Sequence, residues 1–352
     1  MPEPSATLPT RIALWDNARW LLLVLVVWGH LLNDLPHGSS LQKWVALVIY
    51  TFHIPALIFT SGYFASTDPR KIARGVVRLL LTWLIFEAIW ALVRLLVMGE
   101  PLSRSFLVIP GWTLWYLVTL ATLMLLLPVI AMTRWPLAIS VLISLGAGLL
   151  PSIGPQFSAA RTAYLLPFFV LGWICRTRGT LNRAWFLAPS WKLRLTAAAA
   201  VVAYGSVTWW AAAPLEQHGA RTWAAGYLSY AALLGDSTSP FWGLLVRAVL
   251  LVAAAVLSLA FLLIVSRRPS IVTVWGARTL YIYLLHTFVL RLILGAAWFE
   301  ELSRSHRLTV AVTALLAVAI AVVLATAPVV RAFRPIIEPP VIRLLREDSV
   351  RG

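Results

Sequence analysis

Cysteine and charge are what this 352-residue chain has least of. Cys175 is the only cysteine, so no intrachain disulfide can form and a cysteine-based metal site is excluded. Charged residues make up 12% of the chain, against the roughly 25% of an average soluble domain. Acids are scarcer still, with 13 Asp and Glu against 29 Lys and Arg. A signal-peptide cleavage site is missing too: the first hydrophobic segment has no small-residue junction after it and runs on into a second, so it is expected to be a retained helix. No internal repeat or low-complexity tract is visible. One membrane domain over 1–352 is therefore expected, with short tails at about 1–17 and 331–352.

What the chain has is hydrophobicity, 61% of all residues. Apolar windows of about 20 residues, enough to cross a bilayer, fall near 18–35, 41–64, 76–98, 112–131, 136–152, 159–176, 192–213, 241–265, 272–297 and 307–330. The expected fold is all-α and integral to the membrane, with about ten transmembrane helices in a single bundle. The fifth and sixth windows are short. Eighteen tryptophans, among them Trp15, Trp44, Trp112, Trp135 and Trp191 near window ends, suit an interfacial aromatic belt.

The formal net charge of +16 would suit a nucleic-acid binder, but the positions of the basic residues exclude it. With ten spans, 19 Lys and Arg fall on the side of the N-terminus and 7 on the other. That bias places both termini in the cytoplasm by the positive-inside pattern, in a multi-pass protein of the plasma membrane.

Four ionisable side chains fall well inside the windows: His30, His53, Glu87 and His286. Charged or titratable groups in hydrocarbon cost free energy, so these are expected to face a cavity, the bundle interior or one another. Arg19 and His30 lie eleven residues apart on the first helix. At about 100° per residue they share a face, roughly 16 Å apart along the axis. Glu87 is a candidate partner that would orient a histidine and leave its other nitrogen free as a base. The alternatives are a neutral imidazole bonded to a neighbouring helix and a carboxylate paired with an arginine. Pro55 removes a backbone donor from the second helix, and Ser61 and Gly62 are small enough for close approach of a helix or ligand. Lys71, Arg74 and Arg78, spaced three and four apart, form one basic face suited to phosphate oxygens or to topology alone. Asp34, Arg247 and Arg291 fall near window ends on the outer side, where acceptor contacts are expected.

Several segments together resemble the membrane-bound acyltransferase 3 family. They are Asp16-Asn-Ala-Arg19 with ten residues before His30, Phe52-His-Ile-Pro with Ser61-Gly-Tyr-Phe64, the basic start of the third helix, Thr113-Leu-Trp-Tyr-Leu117, Pro167-Phe-Phe-Val-Leu-Gly172, and Thr279-Leu-Tyr-Ile-Tyr-Leu-Leu-His286. The Asp-Asn-Ala-Arg opening is most similar to the branch related to sugar O-acetylases. Two pairs depart from the family pattern, Thr82-Trp83 and Leu123-Met124.

The resemblance implies an enzyme that moves an acyl group, most often acetyl from acetyl-CoA, to a hydroxyl of a sugar, glycolipid or other envelope or secreted acceptor. It implies His30 as catalytic base and Arg19 as its companion, with Lys71, Arg74 and Arg78 holding the coenzyme A phosphates. Asp16, His53, Ser61, Glu87, Trp115, Tyr116 and His286 are the expected cavity-lining residues. No metal is called for. The partners expected are acyl-CoA, a hydroxyl-bearing acceptor and the lipid bilayer. The rival reading is a proton-coupled transporter or flippase using the same buried His, Glu and Arg. Against it, no pair of Gly/Pro-broken helices stands in corresponding halves.

Overall fold

The computed structural model describes residues 12–33, 35, 39–101, 105–211, 219–235, 239–303 and 306–339. Asp34 lies outside them, as do Arg11, Arg104, Arg304, Arg343, Arg346 and Arg351 of the charge pattern. Among the described residues all regular structure is helical. Eleven helices of eleven residues or more carry the architecture: α1 (Ala13–Asn33), α2 (Ser40–Tyr63), α3 (Pro69–Val97), α4 (Trp115–Ala131), α5 (Pro136–Ala147), α6 (Ala159–Thr177), α7 (Trp191–Trp210), α8 (Pro240–Ile264), α9 (Thr279–Leu294), α10 (His306–Leu324) and α11 (Ala327–Ile337). Shorter helical turns such as Ile271–Gly276 and Ala220–Ala225 link them.

A helix lies on each of the ten apolar windows, with three differences. The ninth window breaks after Gly276 into a short helix and α9. The tenth bends by 70° between α10 and α11. The fifth ends at Ala147, and at about 1.5 Å per residue its twelve residues reach about 18 Å, short of a hydrocarbon core of about 30 Å. Among the described residues, α2, α3, α6 with the turn before it, and α8 are long and apolar enough to cross on their own, and the bent pair would make a fifth. Leu125, Val129, Leu142, Val202, Val252 and Leu315 are each more than half exposed. Such apolar flanks belong in lipid.

The ends expected as tails enter the fold. Helix α1 starts at Ala13, because Asp16 and Asn17 are buried against the 266–276 segment. Asn17 donates from Nδ2 to the carbonyls of Ser266 (2.9 Å) and Arg268 (3.1 Å) and accepts from the Thr273 hydroxyl at 2.7 Å. At the other end α11 buries Ile337, and Glu338 accepts from the Tyr281 hydroxyl at 3.0 Å.

Helices α1 and α2 form the centre. The first packs on α2, α9, α10 and Ile271–Gly276; the second packs on α1, α6 and α8. Helices α2 and α6 approach closely, and glycine makes the approach possible. A Cβ on Gly62 would stand 2.0 Å from the Phe169 carbonyl oxygen, and one on Gly172 would stand 2.2 Å from that of Phe59. Small residues at such crossings let backbones meet where no hydrophobic effect drives helices together. Helix starts are set locally. Ser39 and Gln42 form a reciprocal capping box for α2. Asp68 caps α3, with Pro69 in its first turn.

Candidate active site

The Asp16–Arg19 motif opens α1 and is fixed before it does any chemistry. Asn17 clamps the 266–273 segment, and the Asp16 backbone lies so close to Gly276 that a Cβ there would meet its carbonyl oxygen at 2.0 Å. Asp16 pairs with Arg19 at 4.0 Å, and the guanidinium rests 4.8 Å from the centre of the Phe64 ring. Arg19 is thus aimed along the α1 face that also carries Leu23, Val26 and His30.

That face lines a cavity of about 210 Å³. Its walls include Arg19, His30, Ser61, Leu79, Tyr116 and Thr279. The Ser61 hydroxyl donates to the Leu57 carbonyl (3.0 Å) and lies 3.3 Å from the Tyr116 hydroxyl. A second cavity, of about 380 Å³, is lined by His30 again with Asn33, Tyr50, His53, Pro55, Trp112, Arg161, Arg221 and Tyr227 among others. Four residues line both: Val26, His30, Ile54 and Trp115. Of these His30 is the one with an acid–base group.

Two ring neighbours hold His30. Trp112 meets it edge-on with centroids 5.5 Å apart, and His286 lies tilted against it at 5.6 Å. His286 is fully buried; its Nδ1 donates to the Tyr283 carbonyl at 2.7 Å, which leaves Nε2 buried with no partner among the described residues. His53 is held in the same way, Nδ1 donating to the Ile49 carbonyl at 2.6 Å, with its ring on the second cavity.

Several expectations need correction. Asp16 and His286, expected on the cavity wall, line neither cavity. Glu87 meets no histidine among the described residues: its carboxylate accepts from the Gly111 backbone N–H at 3.0 and 3.1 Å and lines a separate cavity of about 210 Å³ with Trp90, Arg94 and Trp112. It reaches the site indirectly, by fixing the residue before Trp112. The phosphate-binding expectation for Lys71, Arg74 and Arg78 is not among these corrections: they line neither His30 cavity, although Leu79 of the same helix lines one. They sit on the first turns of α3, where the backbone N–H groups of Lys71 and Arg70 hold the exposed Asp68 carboxyl below the usual carboxylate range. Arg247 is buried between the Tyr164 and Tyr230 rings, at 4.9 and 5.4 Å, and donates to the Leu228 carbonyl at 3.4 Å. It braces the packing of α6 and α8. Arg291 is exposed and contacts Met98 rather than either cavity.

The residues that depart from the family pattern are packing residues here. Thr82 is buried and donates to the Ile337 carbonyl at 3.5 Å, and Met124 fills the space beside Gly75. Sequence reasoning missed Arg161, which it counted only as a topological charge. The guanidinium stands 4.5 Å from the Trp115 ring centre and 4.7 Å from that of Tyr227, on the wall of the second cavity. An arginine at the start of a span carries no signal of its own in one sequence.

Apolar flanks and a helical core mark a multi-pass membrane protein, with a histidine shared by the linings of two cavities. Residues 12–328 match the family model described as an acyltransferase domain, Acyl_transf_3. The chain belongs to the acyltransferase 3 family and is an enzyme that transfers acyl groups other than aminoacyl groups. No curated protein and no solved structure matches it.

Proposed function

We propose that the protein is an O-acyltransferase of the plasma membrane that takes an acyl group, acetyl in the first instance, from acyl-CoA on the cytoplasmic side. It passes the group to a hydroxyl of a sugar, glycolipid or other envelope or secreted acceptor held on the outer side. The observation that carries this reading is that His30 lines both cavities. The Arg19 cavity opens at the end of α1 where the bias of Lys and Arg places the cytoplasm. The second cavity, with Arg221 and Tyr227, lies toward the opposite end. Both termini are read as cytoplasmic, with ten crossings that include the short α5.

In this reading the acyl-thioester enters past Arg19. Lys71, Arg74 and Arg78 attract the nucleotide phosphates at the surface, and Arg19 guides the chain inward. Since Arg19 is about 16 Å along α1 from His30, it acts on the donor rather than on the reacting carbonyl. His30 takes the proton of the acceptor hydroxyl as its oxygen attacks the thioester carbonyl. The oxyanion collapses, the C–S bond breaks, and the leaving thiolate takes the proton back from the imidazolium. The Tyr116 hydroxyl is the nearby donor suited to the oxyanion. The bare Nε2 of His286 is the acceptor suited to the far nitrogen of His30, which makes His286 a positioning residue.

The test is transfer by the detergent-purified chain. With radiolabelled acetyl-CoA and envelope extract, wild type should move label into acceptor and release free coenzyme A thiol. His30→Ala, inserted and folded, should do neither. Thiol release by the variant at the wild-type rate would remove His30 from the mechanism.

A further inference from the structure

The second cavity has a charge that acyl transfer by itself does not require. Its described lining residues include Arg161 and Arg221 and no Asp or Glu. Arg221 donates to the Asn33 side-chain oxygen at 3.0 Å. Arg161 is different. Both its neighbours are aromatic rings, Trp115 and Tyr227, and no protein carboxylate or carbonyl in hydrogen-bonding geometry takes up its guanidinium among the described residues. Stacking offsets part of the cost of removing the cation from water. It takes up none of the N–H groups, the part of arginine that matches a carboxylate or phosphate edge. Around it stand Tyr50, Trp112, Trp115, Tyr164 and Tyr227, flat faces of the kind on which the ring of a sugar can lie. At about 380 Å³ the chamber falls in the range of small-molecule sites.

We propose that the acceptor is an anion: a hydroxyl compound with a sugar-like ring that carries a carboxylate or phosphate. Arg161 binds that group through paired hydrogen bonds, Arg221 adds attraction across the cavity, and the acceptor hydroxyl is turned toward His30. The proposal rests on the reading of this cavity as the acceptor site. A basic lining on both sides of His30 fits two anionic substrates, the acyl-CoA past Arg19 and the acceptor past Arg161, which approach the base from separate chambers and do not share one.

The experiment is a binding titration on the detergent-purified full chain, read by tryptophan fluorescence, since Trp115 and Trp112 line the site. The probes are glucuronic acid, glucose 6-phosphate, glucose and the methyl ester of glucuronic acid, which separate carboxylate, phosphate and neutral forms of one ring. Wild type should bind at least one acid about tenfold or more tighter than glucose, as a charge-assisted fork implies, and the ester should fall back to the glucose level. Arg161→Gln should abolish that preference, and Arg161→Lys should restore part of it. Glucose and the ester binding as tightly as the acids in wild type would overturn the proposal, with no variant needed. So would an acid preference that survives in folded Arg161→Gln. Thiol release from acetyl-CoA, followed in the same samples, keeps the two readings apart. Anion-selective binding with no transfer to any acceptor would leave the anion site standing and count against the transferase assignment of the cavity. Transfer to neutral sugars without acid preference would do the reverse.

Discussion

In the proposed mechanism His30 is the residue on which the chemistry turns, and its replacement is expected to cost kcat about 10²- to 10⁴-fold, the usual worth of a general base. Arg19→Gln should act differently, raising KM for acyl-CoA more than it lowers kcat, because Arg19 sits at the far end of the first cavity from the base. Steady-state kinetics with varied acetyl-CoA separate the two effects. Glu87→Ala should leave the Gly111 N–H without its acceptor at a cost of about 1–3 kcal/mol, read as a lower melting temperature in detergent. At this scale much of the site was legible. The eleven-residue interval from Arg19 to His30 dictates a shared helical face whatever surrounds it. Ser61 and Tyr116 fall on the first cavity with His30, Trp115 on both cavities, and His53 on the second. Glu87 was misread because a buried carboxylate in a sequence can be paired with any donor, and its actual one is a backbone N–H with no residue signature. Arg161 was invisible for the matching reason: its partners are two aromatic faces from distant segments.

Helices obey local rules here more than side chains do. The start of α3 is set by Asp68 and Pro69, and its cap carries a pH dependence. Because backbone donors hold the Asp68 carboxyl low, the stability it adds is present above the unfolded carboxylate range, near pH 3.9. It fades as pH falls through the lowered folded value. The difference in melting temperature between wild type and Asp68→Ala should therefore narrow in acid; a constant difference would count against the cap. The α2–α6 crossing is stricter. Gly62→Val would press a side chain onto the backbone carbonyl of Phe169, an obstruction that no rotamer relieves. The loss should exceed the about 1–3 kcal/mol of ordinary overpacking, and monodisperse protein in detergent size-exclusion should disappear. The periodicity of apolar windows located these helices, while the break before α9 and the bend after α10 escaped it. An apolar run has the same composition whether its axis is straight or turned, and the turns are fixed by contacts such as Asn17 with the 266–273 segment.

Seen whole, the molecule is, under the proposed function, a partition with a chamber on each side. Its orientation can be checked through the single native cysteine. After Cys175→Ser, a cysteine placed at Arg178, beyond one end of α6, should react with an impermeant maleimide only in opened cells. One placed at Gln156, before the other end, should react in intact cells. The reverse pattern would invert the proposed directions of donor and acceptor. Val26, His30, Ile54 and Trp115 line both cavities, so these side chains stand between them. In the proposed mechanism the base would therefore also act as a seal. A variant that shrinks it joins the two volumes into one wet passage, so an inactive enzyme of this kind would be a leak as well as a loss. Liposomes carrying His30→Gly should dissipate an imposed proton gradient faster than those carrying wild type, and selection on this position would then answer to the energy of the whole membrane as much as to the turnover of one substrate.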